Sequence, residues 1–197
     1  MPFIMKMKTK TTERKRLKRK REKYTKWEKY YILGLLAGSI LMIFEIQLFR
    51  KTIIPLWIPT TVILTIGIIS FLFNRTHYNL TNKSNGWFFP LIQNIVSWGF
   101  ISCYFFMAIN FYFADVEQHN SIFKIKSKSS MSGSKGHRSE RKPLVTIDYD
   151  GFEKVLVFMY EDTEKVDNAT QVKLLTRKGL LGLNILDDYE ATNDSNW

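Results

Sequence analysis

Acid–base, nucleophilic or metal chemistry in this 197-residue chain would have to draw on three histidines and a single cysteine. His77, His119 and His137 lie far apart, with no i,i+4 pair and no carboxylate at ligand spacing, so no bound metal is expected. Cys103 alone permits neither an intramolecular disulfide nor a cysteine cage. Asp148, Asp150, Asp187 and Asp188 could be paired as carboxylates, but they fall at turns and strand ends, where solvated aspartate is ordinary. No Ser/His/Asp set accompanies them, so the chain is not expected to be an enzyme. Gly133-Ser134-Lys135-Gly136 has the composition of a phosphate loop without its spacing, and no helical pattern follows to supply amides. No cofactor and no small-molecule substrate is implied.

One polar group demands a partner for physical reasons. Glu45 is the only formal charge within an otherwise apolar run, and an unpaired carboxylate there is costly. On a helical wheel it lies roughly 20° from Gly34, with Gly38 at roughly 40°, so the acid shares a face with a small-xxx-small pattern. Gly34 and Gly38 are therefore candidate helix-packing positions, and Glu45 should point at a neighbouring helix. Asn110 sits at the same depth, about 5–6 Å inside the outer end of its own apolar run. The expectation is that Asn110 donates to Glu45, assisted by Arg50 or Lys51. The competing arrangement has Glu45 reaching outward to headgroup water.

These residues are positioned by three apolar segments, at about 30–49, 53–73 and 87–113, each long enough for a bilayer core. Ahead of them, residues 6–29 carry thirteen Lys/Arg against Glu13, Glu22 and Glu28. This basic tail, residues 1–29, lacks glycine and proline after Pro2 and should extend the first helix. Its partner is expected to be anionic lipid headgroups rather than nucleic acid. The remainder of the chain is far less basic, with twelve Lys/Arg against fourteen Asp/Glu over residues 114–197. The apolar run that follows the tail is too long for a cleaved signal and should persist as an anchor. The polar stretch 74–86 reads as a loop. Asn74, Asn79 and Asn82 open glycosylation triplets there, which the topology discounts by placing them in the cytoplasm. The third segment is the most polar, and aromatic clusters bound both its ends.

Charge beside the first segment fixes orientation, with the tail inside and, after three crossings, residues 114–197 outside. That region reads as strands at 121–127, 144–149, 152–160, 172–176 and 180–186, with Leu181, Leu183 and Ile185 facing inward. Asp150-Gly151 has the chemistry of a type I′ turn. Residues 128–142 read as a loop, and the acidic end from Asp187 should fray.

The expected class is thus an α+β membrane protein, three transmembrane helices followed by a small all-β extracytoplasmic domain of about five strands. Lys-, Ile-, Asn- and Phe-rich composition suggests an AT-rich genome, and a cysteine-free exported domain suits a bacterial cytoplasmic membrane. The function expected is that of an accessory or scaffolding subunit with a protein partner or as a homo-oligomer. The alternative is a component of an oligomeric transporter or channel, for which the polar stripe of the third segment is discontinuous. An enzyme acting on lipid would need a nucleophile or acid–base cluster that the sequence does not supply.

Overall fold

The computed structural model describes residues 2–82, 86–132 and 140–193, with side chains described from residue 26 onward. The Gly133–Gly136 stretch and His137 lie outside the described residues. The chain divides into two compact units, one of Met1–Glu45 with Pro59–Phe105 and the other of Ile46–Ile58 with Phe106–Trp197.

The first unit is built from helices. α1 (Pro2–Lys51) is one continuous 50-residue helix that takes in the basic tail, as a stretch of Arg, Lys and Glu without interior glycine or proline favours. α2 (Trp57–Asn82) begins four residues later than the apolar run and ends nine later. Thr52 and Ile53 are lost to a strand, and Pro59 falls in the first turn, where its missing N–H costs little. α3 (Phe88–Tyr112) is interrupted at Ile95–Gly99 by a single π turn. All three helices are long and apolar enough to cross a membrane.

Glycines set how closely these helices meet. A Cβ on Gly38 of α1 would overlap the Val96 carbonyl oxygen and lie 2.8 Å from Ser97 Cα; Gly34, one turn away, also faces Ser97. Gly67 of α2 approaches the Ile95 backbone, and Gly99 of α3 approaches the Ile63 carbonyl. All four contacts fall on or beside the π turn, where the added residue bulges α3 toward its neighbours. The polar 74–82 stretch, read as a loop from sequence, is helical because tertiary contacts hold it. His77 stacks on Trp27 at 5.0 Å and Tyr78 packs edge-on to Tyr31 at 5.1 Å.

The second unit is a six-stranded antiparallel sheet, one strand more than expected, ordered β1-β6-β5-β2-β3-β4. β1 (Thr52–Ile53) is the extra strand, supplied by the short connection between α1 and α2 and paired with Ile185 and Asn184. β2 (Gln118–Met131) is long, pairing through Gln118–Lys124 with β5 (Gln171–Lys178) and through Ile125–Met131 with β3 (Lys142–Tyr149). A bulge at Lys126 separates these two registers and bends the strand, curling the sheet into a near-barrel. The predicted loop 128–142 is therefore strand at both ends. β3 joins β4 (Phe152–Val157) through Asp150-Gly151, both at positive φ (47° and 89°), as the expected turn requires.

β6 (Asn184–Thr192) corrects the reading of the last hairpin. Leu181 is 46 % exposed in the turn rather than facing inward, and the strand runs on to Thr192 instead of fraying at Asp187. Asp187 is the extra residue of a second bulge, and Ile185 and Leu186, just ahead of it on opposite faces of the strand, are both buried. Val145, Ile147, Leu156, Val172, Leu174 and Leu186 fill the core, and the short α4 (Thr163–Asn168) adds Val166.

Candidate functional site

Within the first unit, Glu45 and several polar residues of the helices turn inward. Glu45 is 7 % exposed, and its carboxylate meets the fully buried Cys103 thiol of α3. The same thiol lies 3.7 Å from the Pro59 carbonyl oxygen, and Glu45 Oε2 has no hydrogen-bond partner among the described residues. Gln93 donates to the Tyr31 carbonyl at 2.8 Å, and Asn74 donates to Asn94, whose own amide donates to Pro90 O. Each of these bonds ties two helices together or satisfies a buried amide, as helix association in an apolar medium favours.

Asn110 takes a different partner from the one its depth implied. Its Nδ2 donates to Leu183 O at 3.0 Å, and its Oδ1 accepts from Leu181 N at 3.0 Å. The amide is thereby committed to the β5–β6 turn, the hydrogen-bonding complement of a backbone strand edge. Gly179 makes room for it, since a Cβ there would overlap the amide. The Glu45–Asn110 pair expected from sequence is replaced by two separate arrangements, Glu45 with Cys103 and Asn110 with the turn.

The aspartates considered as paired carboxylates make structural contacts. Asp148 accepts from Gly151 N across the β3–β4 turn, Asp187 pairs with Arg177 at 2.6 Å, and Asp188 accepts from Tyr189 N. No group of three metal-ligating side chains occurs among the described residues.

The feature that sequence reasoning missed is Lys154. It lies on the inward phase of β4 with Leu156 and Phe158 and is only 8 % exposed. Its Nζ donates to Thr52 O at 2.8 Å and Phe49 O at 3.4 Å, and lies 5.3 Å from the Phe49 ring centre. An ammonium placed on the last carbonyls of α1 complements the helix dipole, while an inward charge on an edge strand guards that edge. Burial pushes the Lys154 amine down to about 8. The signal was present in the sequence as a basic residue in phase with Leu156 and Phe158.

β4 and β1 end the strand order, so the near-barrel has a seam. Across it reach the Lys154–Thr52 bond and a hydrogen bond from the Tyr189 hydroxyl to Val157 O. Burial raises the Tyr189 hydroxyl above its ordinary value. Along the seam opens a cleft of about 560 Å³ lined by Phe49, Arg50, Ile54, Pro55 and Leu56, by Lys142, by Phe152–Met159, and by Leu186 and Tyr189. Its walls are mostly apolar, with basic groups from Arg50, Lys142 and Lys154. Such a cleft can hold an elongated apolar molecule. Compared with protein-family models, curated proteins and solved structures, the chain matches none.

Proposed function

We propose that the chain is a three-span protein of a bacterial cytoplasmic membrane. Its basic tail lies inside and its sheet outside, where it serves as an accessory or scaffolding subunit. The observation that carries the membrane reading is the inverted polarity of the helical unit. Asn94, Ser97 and Glu45 are buried at 1, 3 and 7 %, whereas Leu33, Leu72 and Phe73 are 65, 68 and 79 % exposed. In water that arrangement forfeits apolar burial; in lipid it is what polar packing and an apolar surround favour. The dense positive charge of the tail supports the orientation.

The scaffolding role is supported by how the sheet begins. The connection between the first two spans is itself a strand, paired with β6 and held by Lys154. A sheet that includes the chain between two spans is tied to them through the backbone and suits the presentation of a surface to another membrane component. Purification in a mild detergent is expected to recover a second protein at fixed stoichiometry. Recovery of the chain alone, or of homo-oligomers that conduct ions in planar bilayers, would contradict the proposal.

A further inference from the structure

We infer that the seam cleft binds an anionic phospholipid, its acyl chain along the apolar wall and its headgroup at the basic residues. The inference rests on the membrane reading and goes beyond it, because this site lies on the side opposite the basic tail. Four observations converge on that ligand.

The cleft has the size of a small-molecule site, about 560 Å³, and its apolar wall is built from core-facing residues such as Leu156 and Phe158. Its charge is one-sided. Arg50 and Lys142 line it, the Lys154 amine being turned inward to Thr52 O and Phe49 O, against the single acid Glu153, which is already paired with Lys126. Its surroundings are apolar and exposed, with Leu56 at 67 %, Trp57 at 66 %, Met159 at 61 % and Val155 at 50 %. Finally, it is lined by the last residues of the first span and by those just ahead of the second, so it opens where lipid headgroups lie. An extended peptide fits less well. The Tyr189 hydroxyl already occupies Val157 O, and Lys154 points inward from the edge that a strand would have to join.

The test uses the full chain in lipid nanodiscs containing a phosphatidylglycerol whose acyl chain carries a photoactivatable diazirine, or the phosphatidylcholine with the same chain. Labelled positions are mapped by mass spectrometry. The expected result is label within residues 152–159 or 50–56, favouring the anionic probe by about fivefold for each engaged basic residue. Arg50→Gln with Lys142→Gln should remove that preference, and Val155→Trp should block the label by filling the cleft mouth. Label on Leu33, Phe44 and Leu72 reports lipid contact of the spans in the same sample. If those positions are labelled while the cleft is not, or is labelled equally by both probes and in the charge variants, the cleft assignment is overturned alone. If the spans themselves are unlabelled, the membrane reading falls with it. Protection of the β4 amides by a co-purified protein, with no lipid label, would assign the cleft to a peptide strand and overturn the inference.

Discussion

Lys154 should make the sheet unit more stable as the solution becomes alkaline, the reverse of what an ion-paired lysine does. In the fold its amine is pushed down to about 8 by burial, whereas the unfolded chain has the ordinary 10.5. At every pH between those values the unfolded state binds more protons, so unfolding becomes less favourable as pH rises. Integrating the two titrations from pH 7 to pH 9.5 gives a gain of about 2 kcal/mol as an upper figure. For a unit of ~100 residues, 1 kcal/mol moves Tm by about 4–8 °C, so the rise should be near 10 °C. The window closes there because Tyr189, whose hydroxyl is raised by burial, gives stability that is lost above the ordinary tyrosine pKa of about 10. Scanning calorimetry of the full chain in detergent, wild type beside Lys154→Met, isolates the effect, because every other titrating group is common to both. The variant has no amine to discharge and should lack the increment. Parallel Tm profiles for the two proteins across pH 7 to 9.5 would refute the burial and bonding assigned to Lys154.

Gly151→Val should destabilise the sheet unit by at least about 1 kcal/mol, since a β-branched residue resists the positive φ that Gly151 adopts; an unchanged denaturation midpoint would contradict the turn. Asn110→Leu leaves Leu181 N and Leu183 O without their partner, and about 1–3 kcal/mol should be lost, with faster hydrogen exchange confined to the β5–β6 turn. Gly38→Ala pushes a methyl group into the α3 backbone at Val96–Ser97. It should lower thermal stability in detergent by about 1–3 kcal/mol, and an unaffected protein would mean α1 and α3 do not cross there.

The elements readable in the sequence were those fixed by local chemistry. An apolar run of about twenty residues can be only a few things, and Asp150-Gly151 names its own turn, so the three helices and the β3–β4 hairpin were legible. What escaped depended on distant partners. Thr52-Ile53 has no period of its own and becomes a strand only because Ile185 and Asn184 pair with it. Residues 74–82 stay helical because Trp27 and Tyr31 receive His77 and Tyr78. Alternation placed Leu181 inside, but β6 begins only at Asn184, which leaves Leu181 in the turn. Depth counting set Glu45 beside Asn110, yet depth carries no rotational information about a second helix. Glu45 lies against Cys103, and the Asn110 amide found backbone in the β5–β6 turn. Lys154 was hidden for the opposite reason: its charge argued for solvent, and only the end of α1 together with Thr52 of β1 supplies the carbonyls that hold it inside.

Topology carries the account, because the scaffolding role and the lipid cleft both depend on which side each part occupies. Alkaline phosphatase, active only when exported, can be fused after Trp197 or within residues 76–82 in a bacterial host. The orientation set by the basic tail predicts an active fusion at Trp197 and an inactive one at 76–82. The reverse pattern, or equal activity at both positions, would contradict it.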